Sequence, residues 1–147
     1  MSVLFVCASP RGRQSSSTWL SEYVEAALPP GIEAGRVLLG DVRLDEGTPG
    51  DDPHLVDLLA RIRAARVVVW ALPTYAFGVP SSMRLLFDRL LSATSPDDFA
   101  GHGAAALLAS ARFQDDRVLE RLRLVSEQLG LGWLGDVSID GNPVRGF

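Results

Sequence analysis

The chain has 147 residues, of which 47% are hydrophobic and 22% are charged, and its net charge is −4. A chain of this length fits a single domain, residues 1–147, whose core needs neither a disulfide nor a metal ion. No apolar run approaches the length of a membrane-spanning helix, and the start lacks the charged leader of a signal peptide, so we expect a cytoplasmic protein. The negative charge argues against a nonspecific surface for nucleic acid or anionic membrane, since both attract clustered positive charge.

The residue types that commonly bind metals are sparse. Cys7 is the single cysteine and lies in an apolar run that predicts a strand, so we interpret it as a packing residue rather than a nucleophile. His54 and His102 are distant in sequence and show no ligand spacing. The sequence therefore predicts no metal site.

Short apolar runs alternate with segments in which apolar residues have helical spacing. The predicted strands are Val3–Cys7, Ala34–Leu39, Arg66–Leu72, Ala104–Ala109 and Val137–Ile139. The predicted helices are Ser17–Leu28, Pro53–Ala64, one that begins near Pro80, and Asp115–Leu129, which Gly130 closes. This alternation predicts an α/β fold with a parallel sheet, right-handed crossovers and helices on both faces. In such a sheet a ligand binds beyond the carboxyl ends of the strands, where the residues after the first, third and fourth strands meet.

The loop after the first predicted strand is dense in hydroxyl and guanidinium groups. Residues 8–18 read Ala-Ser-Pro-Arg-Gly-Arg-Gln-Ser-Ser-Ser-Thr and lead into the first predicted helix. A helix N-terminus presents unpaired N–H groups and partial positive charge, to which the serines add donors and Arg11 and Arg13 add full charge. The pattern predicts an anion site with a phosphate monoester as its occupant. Serine and threonine are also ordinary N-cap residues, so the loop alone is equally compatible with a capped turn.

The turn after the third predicted strand combines two aromatic rings with a glycine. Residues 72–80 read Leu-Pro-Thr-Tyr-Ala-Phe-Gly-Val-Pro. Aromatic side chains beside an anion site suggest a flat ring that carries a phosphate tail. Tyr75 and Phe77 could instead fill the core, and Gly78 could merely permit a turn.

Together the two loops resemble those of flavodoxin-like flavoproteins, in particular the NAD(P)H-dependent FMN reductases and the FMN-dependent azoreductases or quinone reductases. The motifs that carry the resemblance are Ser9-Pro10-Arg11-Gly12-x-x-Ser15-x-Ser17, and Pro73-Thr74-Tyr75-x-Phe77-Gly78-x-Pro80 followed by Arg84-Leu85-Leu86-Phe87-Asp88. The likeness covers residues 2–110, with both motifs in the expected order and separation. It implies a flavodoxin-like, doubly wound sheet of five parallel strands in the order 2-1-3-4-5.

The resemblance implies FMN as the cofactor and matches residues to its two ends. The residues that match the family's FMN-phosphate loop are Ser9, Arg11, Ser15, Ser16 and Ser17. Those that match the loop along the isoalloxazine ring are Pro73, Thr74, Tyr75, Ala76, Phe77 and Gly78. Ala76 departs from the family, where this position is commonly a polar residue such as Asn. Among the hydroxyls, Ser15 and Ser17 are favoured over Ser16 and Thr18, which could only cap the helix or face solvent.

The loop after the fourth predicted strand departs from the family more strongly. It lacks the glycine pair with which many relatives approach the pyrimidine edge of the flavin. Arg112 in this loop could stabilise the negative charge of reduced flavin near that edge, or it could form a surface salt bridge with an acidic neighbour.

The resemblance also implies an activity. NAD(P)H would transfer a hydride to the flavin, and the reduced flavin would then reduce a quinone, an azo or nitro compound, or free flavin. This chemistry needs no side-chain nucleophile or general base, and we assign no catalytic residue. Two alternatives stay open: an FMN-binding electron-transfer flavoprotein without a small-molecule substrate, and a flavodoxin-like fold that has lost redox activity.

The end of the chain suggests an interface. A fold of this type ends with a fifth helix over the last strand, and the sequence after Val137–Ile139 is too short to supply a full one. Exposed apolar sheet surface indicates a contact between proteins, with Leu131, Trp133 and Phe147 as its expected contributors. Many relatives also build the substrate side of the flavin pocket from two subunits, so we expect a homodimer.

Overall fold

The computed structural model describes residues 1–42, 44, 53–74, 78–110 and 115–140. These residues form five strands and four α-helices in alternation. The strands are β1 Ser2–Cys7, β2 Glu33–Leu38, β3 Val67–Pro73, β4 Gly103–Ser110 and β5 Gly132–Asp140. The helices are α1 Ser16–Ala26, α2 Pro53–Ala64, α3 Ser81–Ala93 and α4 Asp115–Leu129.

The strands form one parallel sheet in the order β2-β1-β3-β4-β5, which confirms the predicted topology. The apolar runs of β1 and β3 lie at its centre, where β1 is paired on both edges, and they are buried almost throughout. The chain reverses its direction of travel across the sheet between β2 and β3. This is the switch point at which doubly wound sheets open a crevice for a ligand.

The two faces of the sheet are covered unequally. One face packs against α2, α3 and α4 in a large core, at whose centre the Trp70 ring meets Phe87 edge-on at 5.1 Å and donates its Nε1–H to Ser126. The opposite face packs against α1 through Leu20 and Val24. Of the helices in the described part of the chain, only α1 contributes to that second, smaller core.

Strand β5 is longer than predicted. It begins at Gly132 rather than Val137, and a bulge opposite Ala104 and Ala105 shifts its register. The bulge places Leu134 against Gly103, where an added Cβ would lie 2.7 Å from Leu134 Cδ1. Leu134 and Val137 are 64% and 50% exposed on the face that α1 covers only in part.

The residues expected at an interface are differently placed. Leu131 is buried in the core beneath α4, so its expected role in an exposed contact is wrong, because it fills the space where α4 turns into β5. Trp133 is half-buried and packs against the same core. Phe147 and the expected absence of a final helix fall on residues 141–147, outside the described part of the chain.

The helix boundaries follow local signals. Both α2 and α4 have the predicted bounds, and Pro80 is the N-cap of α3. Gly130 follows α4 with a positive φ of 98°, the left-handed conformation that ends many helices. None of the helices among the described residues is both long and apolar enough to cross a bilayer.

Candidate functional site

The residues that directly follow β1 and β3 are each joined by a backbone hydrogen bond to the neighbouring strand, at the edge where the strands end. The Ala8 N–H donates to the Ala71 carbonyl at 3.0 Å, and the Thr74 N–H donates to the Ala109 carbonyl at 3.1 Å. These bonds continue the parallel ladder beyond the strands. The sheet therefore brings three buried hydroxyl-bearing residues to the ends of its strands: Ser9 after β1, Thr74 after β3 and Ser110 as the last residue of β4.

We call residues 9–17, between β1 and the first turn of α1, the hydroxyl loop. Ser15 is the N-cap of α1, and its Oγ accepts the N–H of Ser17 at 3.2 Å. The hydroxyls of Ser15 and Ser17 lie 2.7 Å apart, and both side chains are buried. Ser9 Oγ accepts the N–H of Arg11 at 3.2 Å. Ser16 is half-buried at the first position of the helix.

The start of α1 is electropositive. Its first turn contains no acidic residue. Arg11 and Arg13 are exposed in the hydroxyl loop, and neither forms an ion pair within the described part of the chain. The helix dipole and two free guanidinium groups therefore favour an anion at this position.

The segment after β3 contains a buried hydroxyl that is left unsatisfied. Thr74 is 5% exposed, and its Oγ1 has no hydrogen-bond partner among the described residues. Buried polar atoms are rarely left without a partner, so this hydroxyl is available for a hydrogen bond to a ligand. Gly78, farther along the same loop, has a φ of 109°, which side chains other than glycine rarely adopt.

A cleft of about 580 Å³ opens between the hydroxyl loop and the start of α3. Ser82 Oγ donates to the Ala8 carbonyl at 3.3 Å across its base, which ties α3 to the end of β1. The residues that line it include Ser9, Pro10, Gly40, Gly78, Pro80 and Arg84. A volume of this size accommodates a small-molecule ligand or cofactor.

Several predicted site residues are brought together and others lie outside the described chain. Ser9 and Gly78 line the cleft, and Pro73 ends β3 with Thr74 directly after it at the same edge of the sheet. Ser15, Ser16 and Ser17 form the N-cap and first turn of α1, and Arg11 precedes them in the hydroxyl loop. The positions of Tyr75, Ala76, Phe77 and Arg112 fall on residues that the structure does not describe.

Sequence reasoning missed Gly40 and Ser82. Gly40 follows β2 in a short 3₁₀ turn, and a Cβ added there would lie 3.7 Å from the Ser9 carbonyl oxygen. Neither residue belongs to a motif, since their place in the site depends on how β2 and α3 pack. The sequence could have indicated them only through their positions, since Gly40 follows the end of β2 and Ser82 lies at the start of α3.

Thr18 differs from expectation, because it neither caps the helix nor faces solvent. Its side chain is fully buried, and its Oγ1 donates to the Gly12 carbonyl at 2.8 Å. The hydroxyl loop therefore folds back onto the first turn of α1.

The segment after β4 is tied to the start of α4 by one carboxylate. Asp115 accepts hydrogen bonds from Ser110 at the end of β4 and, at 2.7 Å, from Ser138 in β5. The two ends of the loop that contains Arg112 are thereby held together, whatever the conformation of the loop itself.

The chemistry of the described side chains is that of a binding site. Cys7 is buried at the end of β1 beneath α1, and this desolvation raises the pKa of its thiol despite a hydrogen bond with Ser21. A protonated, inaccessible thiol is a packing group rather than a nucleophile. Within the described ranges, no cluster of three or more His, Cys, Asp or Glu side chains has the arrangement of a metal site.

Comparison with known proteins adds a family. The sequence model of the NADPH-dependent FMN reductases matches residues 1–141. No curated protein matches the chain.

Several solved structures share the fold at low sequence identity. RosB, solved with 8-demethyl-8-formylriboflavin-5'-phosphate, is 18% identical with a TM-score of 0.78, over 96% of this chain and 65% of RosB. An FMN-dependent NADH-azoreductase from Bacillus anthracis, solved with FMN, is 15% identical with a TM-score of 0.67, over 98% of this chain and 89% of the enzyme. An NADH:FMN oxidoreductase in its apo form is 20% identical with a TM-score of 0.76, over 95% and 75% of the two chains. The chain thus spans slightly under two thirds of RosB and more of the other two.

Proposed function

The chain belongs to the family of NADPH-dependent FMN reductases, whose cofactor is FMN and whose electron donor is NAD(P)H, and from this premise we propose that it reduces a small-molecule acceptor. The proposed acceptors are a quinone, an azo or nitro compound, or free flavin. Relatives of the same fold described as an azoreductase and a quinone reductase support this range. We propose the cytoplasm as the place of this reaction.

The observation that carries the proposal is an electropositive helix start beside a cleft of ligand size. The hydroxyl loop supplies buried serine hydroxyls and two arginines that form no ion pair with any described residue. The cleft beside it has about 580 Å³, and Thr74 leaves a buried hydroxyl without a partner at the same edge of the sheet. These groups fit a ligand with a phosphate at one end and a hydrogen-bonding ring at the other.

The residue assignments follow the two ends of such a ligand. We propose that the phosphate is bound by Ser9, Arg11, Ser15, Ser16 and Ser17. We propose that the ring is bound by the loop of Pro73, Thr74, Tyr75, Ala76, Phe77 and Gly78, with Arg112 at its pyrimidine edge.

The protein's own part in the reaction is binding and orientation. Bound FMN supplies hydride and electron transfer, which no amino-acid side chain provides. The hydroxyl loop would hold the phosphate end in place, and Gly78 allows the turn beside the cleft because its φ of 109° is one that other residues rarely adopt. The buried Cys7 thiol takes no part.

Absorbance spectroscopy tests the function directly. Purified protein is titrated with FMN and then reduced anaerobically with NADPH or NADH. We expect stoichiometric FMN binding, followed by bleaching of the flavin bands with at least one nucleotide. FMN binding without bleaching would indicate an electron-transfer flavoprotein, and no binding would indicate a fold that has lost its cofactor.

We also propose that the chain forms a homodimer through the partly covered face of the sheet. Leu134 and Val137 are exposed on this face, and Tyr23 of α1 is 75% exposed. Apolar side chains that are exposed on a sheet face are typical of contacts between proteins. We infer that a second copy of this chain covers the face, because dimers are common in the family.

Sedimentation velocity in the micromolar range tests the dimer. We expect Leu134→Asp and Val137→Asp to yield monomers, because each places a charge in the contact. Val56 on α2 is 52% exposed away from this face, so Val56→Asp should leave the dimer intact. A monomeric wild-type protein would contradict the proposal.

A further inference from the structure

Two side chains of α1 hold the hydroxyl loop, and neither belongs to the set assigned to the phosphate. Thr18 Oγ1 donates to the Gly12 carbonyl at 2.8 Å. Trp19 Nε1 donates to the Arg13 carbonyl at 3.0 Å. Two consecutive carbonyl oxygens in the middle of the loop are thus drawn towards the helix.

The direction of these carbonyls decides what the loop presents to an anion. A carbonyl oxygen that faced the anion would repel it, whereas an N–H would bind it. The Arg13 N–H shares a planar trans peptide with the Gly12 carbonyl and therefore points the opposite way. No described residue accepts a hydrogen bond from this N–H, so it is available to a ligand.

The turn of α1 that carries Thr18 is itself anchored to the sheet. The Thr18 carbonyl accepts the Ser21 hydroxyl at 2.6 Å, and Ser21 Oγ accepts Arg36 Nε from β2 at 3.1 Å. The Arg36 guanidinium also pairs with Glu25 and lies 5.6 Å from the centre of the Phe5 ring. The loop is therefore supported through α1 by β1 and β2.

We propose that Thr18 and Trp19 are positioning residues that preform the hydroxyl loop for a phosphate monoester. The proposal rests on the proposed function and adds specificity to it: the two residues determine the preference for FMN over riboflavin, which has the same ring system and no phosphate. They act through the Gly12 and Arg13 peptides without touching the ligand. A preformed loop binds more tightly because less of its freedom is lost on binding.

Flavin titrations of single variants test this role. Thr18→Val and Trp19→Phe each remove one hydrogen bond and keep most of the side chain. The loss of one hydrogen bond changes an equilibrium constant about fivefold. We therefore expect each variant, whose loop is less well preformed, to raise the Kd for FMN about fivefold. The Kd for riboflavin should stay within about twofold of the wild-type value, since riboflavin leaves the loop empty. Thr18→Ser keeps the hydroxyl and should restore FMN affinity.

Matched controls exist elsewhere in the chain. Thr94 Oγ1 donates to the Leu90 carbonyl at 2.7 Å at the end of α3, so Thr94→Val removes the same kind of bond away from the hydroxyl loop. Trp133→Phe is the matching indole change in β5. Neither control should change the ratio of the two affinities.

Two results would overturn the proposal: unchanged FMN affinity in both variants, or an equal loss for FMN and riboflavin, which indicates a general effect on the fold. A wild-type protein that binds neither flavin contradicts the proposed function instead. In that case the same variants are titrated with inorganic phosphate by ³¹P line broadening. Unaltered phosphate binding would then overturn the positioning role, and weakened binding would support it.

Discussion

The Thr74 hydroxyl is buried and has no hydrogen-bond partner among the residues that the structure describes. A buried polar group of this kind lowers stability by about 1–3 kcal/mol relative to a satisfied one. A ligand that bonds to it gains affinity because the desolvation has already occurred. At the scale of a residue, the Thr74 hydroxyl therefore lowers the stability of the ligand-free protein and raises its affinity for the ligand.

Thr74→Val separates these two effects. Valine has a similar shape without the hydroxyl, so we expect the cofactor-free protein to melt at the same temperature or higher. The Kd for FMN should rise about three- to tenfold, because one hydrogen bond to the ligand is lost. Calorimetry of the free protein and flavin titration measure the two quantities. A lower melting temperature would show that Thr74 serves the fold.

Arg11 supplies the second test at this scale. Its guanidinium is exposed, free of ion pairs within the described ranges and close to the start of α1. We expect Arg11→Ala to raise the Kd for FMN about tenfold or more, since hydrogen bonds to charged groups contribute about 1.5–3 kcal/mol. The loss should shrink as salt increases.

Arg123 in α4 pairs with Glu127 on an exposed helix face and offers the control. Arg123→Ala should leave FMN affinity unchanged. If Arg11→Ala binds FMN as the wild type does, the phosphate lies elsewhere.

At the scale of the element, the end of α4 is fixed by a glycine. Gly130 has a φ of 98°, and a Cβ there would lie 2.1 Å from the Pro96 carbonyl oxygen. Backbone atoms cannot yield to such a contact as a flexible side chain would. The turn from α4 into β5 therefore requires glycine for both its conformation and its close approach.

Gly130→Ala should destabilise the protein by about 3 kcal/mol or more, because strain and collision add. Gly31 also has a positive φ, 88°, with nothing within 4 Å of an added Cβ. Gly31→Ala should therefore cost only about 1 kcal/mol, from the strain alone. Urea denaturation compares the two, and equal losses would show that the Pro96 contact relaxes.

Helices and strands whose ends are marked by nearby residues were predicted correctly, whereas those whose ends depend on distant contacts were not. The bounds of α2 and α4 followed from apolar spacing and from caps such as Gly130, which lie within the helices or next to them. The start of β5 was missed because Gly132 and Gly135 disfavour a strand in isolation, and pairing with β4 overrides that preference.

The residues around the cleft also differ in whether neighbouring sequence could identify them. The hydroxyl loop was predicted from consecutive residues, since a strand, a loop and a helix start are contiguous in sequence. Gly40 and Ser82 reach the cleft only through the packing of β2 and α3, which no local pattern encodes. Thr18 was misjudged because its polarity suggested solvent, whereas its hydroxyl has a backbone partner.

At the scale of the whole molecule, Cys7 reports on global unfolding. It lies in β1, which is paired on both edges, and it is 1% exposed beneath α1. Burial raises the pKa of its thiol, so the folded state favours the protonated form. Labelling by iodoacetamide should therefore require the core to open.

The same shift predicts a pH dependence. The stability contributed by the neutral thiol is fully present below its ordinary pKa of 9.0 and is lost as the pH rises from there through the raised folded pKa. We expect the free energy of unfolding to fall more steeply in this range for the wild type than for Cys7→Ala. Denaturation at several alkaline pH values measures the two slopes, and parallel slopes would contradict the shift.

The unequal covering of the two sheet faces affects how stable α1 is when the cofactor is absent. The helix whose start would hold the phosphate, α1, is the one that packs on its face without another described helix beside it. A ligand that binds only the folded loop stabilises that helix by mass action. We therefore expect bound FMN to slow the cleavage of α1 by proteases, so that the supply of cofactor would influence how long the folded protein persists.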